Sequence, residues 1–166
     1  MLNKHGEPFR ILFVCTGNTC RSPLAESLAR RAVDRFGWGH VEVRSAGVAA
    51  VDGTPASPGS IRVAARHGLD LSVHRGSRLT GDLVEWADLV LIMSPRQMPY
   101  AETAGGAGKV SLITDFSEGR ESTEDSMLGG VFDPMGGDDE EYEQTYLQLA
   151  ELIERVLARL EPLVAP

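Results

Sequence analysis

The sequence predicts an α/β fold, a doubly wound parallel sheet with helices on both faces, and three observations carry that expectation. Short apolar runs such as Ile11-Leu12-Phe13-Val14 and Leu89-Val90-Leu91-Ile92-Met93 read as strands buried on both faces. Helical patterns alternate with them, so each return to a parallel neighbour is a right-handed crossover that carries a helix across the sheet. No linker or internal repeat divides the 166 residues, and a single domain over 1–166 is expected, large enough to bury a real core.

The first strand should run from about Phe9 to Val14. A helix follows from Pro23 to about Phe36, with Ser22 as its cap, Pro23 at its first position and Glu26 near its first turn. Val41 to Arg44 reads as the second strand, and Pro58 to His67 as a helix closed by Gly68. Asp82 to Trp86 adds a helical turn before the third strand, Leu89 to Met93. Gln97 to Thr103 reads as helix, Ala104-Gly105-Gly106-Ala107-Gly108 as a turn, and Lys109 to Ile113 as the fourth strand. Thr114 to Gly130 reads as a long polar surface segment, and loops of that length often carry function. From Asp139 to Leu160, the spacing of Tyr142, Tyr146, Leu149, Ile153, Val156, Leu157 and Leu160 predicts a long amphipathic helix whose stripe faces the core.

The chemistry concentrates in Cys15-Thr16-Gly17-Asn18-Thr19-Cys20-Arg21-Ser22, between the first strand and the first helix. A strand ending in a thiol, a tight loop and a helix N-terminus together form a site for a phosphate oxyanion. Backbone N–H groups can curl around the anion, the helix dipole adds positive potential, and the Arg21 guanidinium can grip two oxygens. Cys15 then lies beneath the phosphorus, in surroundings that favour the nucleophilic thiolate. Gly17 permits an unusual backbone, Asn18 tolerates the left-handed region, and Ser22 can donate to the Cys15 sulfur. A buried strand-end thiol beside a solvated arginine would show the same two residues, so the context decides.

That loop, with Val43-Arg44-Ser45-Ala46-Gly47, His74, Ala87-Asp88-Leu89-Val90-Leu91 and Asp133-Pro134 in that order, resembles the low-molecular-weight protein tyrosine phosphatase family over nearly the whole chain. The resemblance implies four strands in the order 2-1-3-4 with the phosphate loop at a C-terminal strand end, where such sheets bind ligands. It makes Asp133 the general acid that protonates the leaving group and then deprotonates the attacking water. An Asp-Pro pair is otherwise a turn signature. Asn18, Ser22, Ser45 and His74 match the positions where the family keeps a hydrogen-bond network under the loop. Each alone is equally explained by local capping or by a satisfied core polar group.

Specificity rests on Thr19 and on the residues just after the acid. Family members acting on phosphotyrosine place a bulky aliphatic residue at the Thr19 position and aromatic residues after Asp-Pro, where this chain reads Met135-Gly136-Gly137. The combination looks like the bacterial protein-arginine-phosphatase branch, in which Asp133 would also pair with the guanidinium. Asp138-Asp139-Glu140-Glu141 adds negative charge nearby, or simply serves the first turn of the last helix. Against the arginine branch, Ala49-Ala50 stands where that pattern can carry an aromatic residue after Ser-Ala-Gly-Val.

The net charge of -8 and the lack of a basic block argue against nucleic acid as a partner. No apolar stretch reaches the ~20 residues of a membrane span, and the run from Ile11 to Cys15 is too short for a signal peptide, so a cytoplasmic protein without a membrane partner is expected. The two cysteines, both in the loop, are too few for a disulfide framework or a zinc site, and His5, His40, His67 and His74 lack metal-ligand spacing. The expected protein is a metal-independent, cofactor-free monomer acting on phosphorylated proteins, phosphoarginine first and phosphotyrosine second. Cys20 is the expected redox-resolving thiol for an oxidised Cys15. An arsenate reductase using an external thiol and a silent phosphate-binding module are the remaining alternatives. The latter would need neither nucleophile nor acid.

Overall fold

The computed structural model describes residues 6–123, 126 and 129–165. Its sheet consists of β1 (Phe9–Cys15), β2 (Val41–Gly47), β3 (Leu89–Ile92) and β4 (Val110–Leu112), all parallel and ordered β2-β1-β3-β4. The chain leaves β1 toward β2 on one side and returns to β3 on the other. The C-terminal end of β1 therefore lies at the point where the strand order reverses, which is where doubly wound sheets open a ligand crevice.

Alternation along β1 divides the core. Ile11, Phe13 and Cys15 face one side, among the apolar residues of α1 (Arg21–Phe36), α2 (Pro58–Arg66) and α6 (Asp139–Val164). Leu12 and Val14 face the other, with Val84 of α3 (Gly81–Trp86) and Ala101 of α4 (Met98–Ala101). A period of two thus sends the Cys15 side chain to the face where α1 begins.

The stripe read on α6 is the core-facing side, with Leu149, Ile153, Val156, Leu157 and Leu160 all buried. The helix continues beyond Leu160 to Val164 despite Pro162, because Val164 extends the same stripe into the core and only the last turn meets the missing N–H. The expected loop over Thr114 to Gly130 is a larger departure. Its first part is α5 (Ile113–Glu118), so Ile113 opens a helix rather than closing β4. Ile113 and Phe116 lie one turn apart toward the core, and Gly119 closes the helix in the left-handed conformation, but the four polar residues among the six hide the pattern. The remainder of that segment includes 124, 125, 127 and 128, outside the described residues.

The expected helix Gln97–Thr103 is composite, with a 3-10 turn at Pro95–Gln97, then α4, then a wider turn over Glu102–Gly106 that absorbs part of the expected glycine-rich turn. Among the described residues no helix is long and apolar enough to cross a membrane.

Candidate active site

The loop after β1 is held from outside by its carbonyls. Val48 N donates to Cys15 O at 3.0 Å, Ala49 N to Thr16 O at 2.9 Å and Ser57 N to Thr19 O at 2.9 Å. His74 Nε2 donates to Asn18 O at 2.8 Å. In a trans peptide the following N–H points the opposite way, so the amides of Thr16, Gly17, Thr19 and Cys20 turn inward. The loop is a cradle of donors because its carbonyls are engaged elsewhere. Gly47 makes room for it, since a Cβ there would lie 2.6 Å from Thr16 O and 2.8 Å from Asn18 N.

Asn18, not Gly17, supplies the unusual backbone. Its φ is +55°, the one positive value among described non-glycine residues, whereas Gly17 lies outside the left-handed region. Asn18 is fully buried, and its amide is saturated. Nδ2 donates to Ser22 Oγ at 2.8 Å and to Ser45 Oγ at 2.9 Å, and Oδ1 accepts from Ser77 N at 2.9 Å. Ser22 Oγ accepts from Asn18 and has two acceptors for its own proton, Cys15 Sγ at 2.9 Å and the more distant Ala46 O at 3.5 Å, so the sulfur is the nearer target; it also receives Asn18 N at 3.3 Å. Two donors thus converge on the sulfur.

Of the two roles expected of Ser22, the contact with the sulfur is present and the helix cap is not. The helix begins at Arg21, with Cys20 at the cap position, no side-chain cap and no acidic residue in its first turn; Glu26 lies beyond it. The first-turn N–H groups are left for an anion, as a helix N-terminus without a carboxylate or hydroxyl of its own would leave them.

Arg21 is buried with its Nη1 fixed on Val131 O at 3.1 Å, and its Nη2 lies 3.5 Å from Asp133 Oδ2. Its Nε is buried with no hydrogen-bond partner. An orphaned buried donor is costly, by roughly 1–3 kcal/mol or more for a charged group, unless a ligand accepts it. Asp133 reaches the same space from the opposite side, its carboxylate half exposed and steadied by Met135 N at 3.1 Å. Cys15, Thr16, Gly17, Thr19, Cys20, Arg21, Asp133 and Met135 line one cavity of about 100 Å³.

Of the supporting residues, Asn18, Ser22, Ser45 and His74 form one network beneath the loop. Cys20 is a buried free thiol, 3.2 Å from Ser57 Oγ and 3.6 Å from Tyr142 OH. Burial pushes the Tyr142 phenol above the ordinary tyrosine range; its bond to Ser57 opposes this and the Cys20 thiol reinforces it, so the hydroxyl stays protonated. The acidic run serves α6, where Asp138 and Glu141 form a reciprocal capping box and Asp139 pairs with Arg62 and Arg66. His40 and His67 contact Val164 O and Glu143, and His5 lies outside the described residues. Among the described residues no group of three or more histidine, cysteine or acidic side chains is arranged to hold a metal ion.

Sequence reasoning missed Gln97, which is buried and donates to Thr16 Oγ1 at 3.1 Å, and the cluster of Ser57 and Tyr142 on Cys20. Ser57 before Pro58 carried a visible helix-cap signal, and Tyr142 a visible core one; neither signal pointed to the loop.

Residues 10–164 match the family model described as low molecular weight phosphotyrosine protein phosphatase. The chain is 49% identical over 87 residues to a probable low molecular weight protein-tyrosine-phosphatase, EpsP, of Ralstonia solanacearum, a match spanning 52% of this chain and 57% of that protein. It is 37% identical to a protein-arginine-phosphatase of Bacillus subtilis, over 91% of this chain and 96% of that protein. A solved structure of the YwlE arginine phosphatase, a mutant with a phosphorylated active-site serine, superimposes with a TM-score of 0.83 at 37% identity, covering 92% of this chain and 96% of the other.

Proposed function

Because the chain belongs to the low-molecular-weight phosphotyrosine protein phosphatase family, we propose that it is a cysteine-dependent protein phosphatase that hydrolyses phosphoarginine in proteins. The observation that carries the chemistry is the shared cavity, where a thiol, a buried guanidinium with an unpaired donor and a carboxylate meet. The Arg21 fork and the inward amides hold the phosphoryl oxygens. Cys15 Sγ attacks phosphorus in line with the departing nitrogen, so the S–P bond forms as the P–N bond breaks, and Asp133 gives its proton to that nitrogen. Asp133, now a carboxylate, takes a proton from water as its oxygen attacks phosphorus. The S–P bond breaks, and the Cys15 thiolate leaves with the Ser22 hydroxyl directed at it. A bound dianion would replace Asp133 as the partner of Arg21 Nη2, freeing the carboxyl for the leaving group.

Preference for phosphoarginine is supported by Thr19, a polar residue in the cavity lining, and by Met135 where aromatic residues would wall a phenol ring. The named relatives include both arginine and tyrosine phosphatases. Phosphotyrosine is the second reading, favoured by the exposed Phe132 and Met135 on either side of Asp133-Pro134, an apolar rim that suits an aryl group. Hydrolysis of matched phosphoarginine and phosphotyrosine peptides by one preparation, without added metal, tests the choice. Thr19→Ile should lower the ratio of kcat/KM for phosphoarginine over phosphotyrosine, since the hydroxyl is lost and apolar surface is added. Preference of the parent enzyme for phosphotyrosine, with an unchanged ratio in the variant, would reject the arginine reading.

A further inference from the structure

The segment leading into Asp133 presents three successive carbonyls, and each accepts a hydrogen bond from a side chain of a helix. Gly130 O accepts from Gln148 Nε2 at 3.2 Å, Val131 O from Arg21 Nη1 at 3.1 Å, and Phe132 O from Thr145 Oγ1 at 3.3 Å. Val131 N completes the set by donating to Met93 O at 2.7 Å, at the end of β3.

Thr145 and Gln148 lie one turn apart on α6, beside the apolar stripe that fixes the helix on the core. Thr145 is almost fully buried, so its hydroxyl serves the protein interior rather than water. A threonine mid-helix ordinarily turns its hydroxyl to the carbonyl one turn back or to solvent. Here it reaches across to the segment that carries the carboxylate. Asp133 itself is half exposed, and among the described residues its side chain is held by the Met135 amide and by the contact with Arg21 that a phosphate would displace. With the substrate bound, the position of its carboxyl depends on the backbone behind it.

We propose that Thr145 and Gln148 are positioning residues for Asp133: they clamp the backbone of Gly130–Phe132 so that the carboxyl sits over the leaving group during transfer to Cys15. The proposal rests on the acid role of Asp133 in the proposed phosphatase. It also gives Arg21 two ends. One side of the guanidinium faces the phosphate and the other holds Val131, so the phosphate site and the acid segment share a rigid part.

The test is a double-mutant cycle read across substrates of differing leaving group. Thr145→Val keeps the shape and removes the donor, Thr145→Ser keeps the donor, and Gln148→Met serves if Thr145→Val folds poorly, with thermal unfolding recorded for each. Thr145→Val should lower kcat for a poor leaving group by about ten- to a hundredfold, with a smaller loss for a good aryl leaving group and little change in KM. Thr145→Ser should restore most of the rate. In an Asp133→Asn background, Thr145→Val should cause no further loss, because the group it positions is gone.

Equal losses across leaving groups, or losses that add to those of Asp133→Asn, would overturn the clamp while leaving the acid role standing. If Asp133→Asn alone shows no dependence on the leaving group, the acid role fails and the clamp fails with it.

Discussion

Ser22→Ala tests the sulfur's immediate surroundings. The substitution removes the hydroxyl that lies 2.9 Å from Cys15 Sγ and leaves the sulfur with Asn18 N at 3.3 Å, since Asn18 Nδ2 is directed at Ser22 and Ser45. A hydrogen bond to a charged group contributes about 1.5–3 kcal/mol, which corresponds to roughly 10- to 150-fold in rate. The loss should strike both steps, since in the proposed mechanism the thiolate is the nucleophile in the first and the leaving group in the second. Rapid-quench kinetics with an aryl phosphate separates them, as a burst reports formation of the phosphocysteine and the steady state its hydrolysis. Ser45→Ala is the internal control. It deprives Asn18 Nδ2 of the other acceptor, with a comparable effect on stability of about 1–3 kcal/mol, but leaves the proton on the sulfur. Ser22→Ala should therefore be the slower enzyme at similar stability. A rate within about threefold of the parent, or equal losses in the two variants, would refute the assignment of that proton to the sulfur.

Cys15→Ser should lower turnover by at least about a thousandfold while phosphate or vanadate still binds; near-parent activity would end the covalent mechanism. Arg21→Lys should lower kcat/KM by about 10²–10³-fold, because an ammonium cannot hold Val131 O and a planar pair of oxygens together; steady-state assay with one aryl phosphate checks it. Peroxide should inactivate the enzyme through a Cys15–Cys20 disulfide that thiol reductants reverse, since both cysteines are free and both residues line the same cavity. Mass spectrometry without that link, or equal recovery of Cys20→Ala, would leave Cys20 as a buried filler held by Ser57 and Tyr142.

The features legible in the sequence were local or periodic. The phosphate loop is eight consecutive residues, so its strand, turn and helix start all fall within one reading window, and the apolar periods of β1, β3 and α6 were long enough to place the core. The features that stayed hidden depend on distant parts of the chain. Gln97 reaches Thr16 across 81 positions and Tyr142 reaches Cys20 across 122, and no local pattern encodes such a meeting. His74, which reaches Asn18 across 56 positions, is accessible through family resemblance, whereas Gln97 and Tyr142 each have a sufficient local explanation, at a helix start and in an apolar stripe. The two errors inside the loop have a common origin. Ser22 as cap and Gly17 as conformational relief are the local roles those residue types prefer, but the helix starts without a side-chain cap and the strained backbone sits at Asn18, while the expected donation from Ser22 to the sulfur is the role the site keeps.

The choice of asparagine at that strained position arises from two demands that no other side chain meets together. A φ of +55° is reached most easily by glycine, and for residues with a Cβ the left-handed region costs roughly 1–2 kcal/mol, less for asparagine, whose amide can bond locally. Glycine would satisfy the backbone but leave Ser22 and Ser45 without a donor and Ser77 N without an acceptor. Aspartate would keep the acceptor, lose both donors and bring a negative charge beside the sulfur that must carry one. Asparagine alone offers two donors and one acceptor on a short arm, so the residue that turns the loop toward the phosphate also sends the Ser22 proton to Cys15. In the proposed mechanism the strain at Asn18 has a function, because the hydrogen bonds that hold it in place are the ones that would prepare Cys15 as the nucleophile.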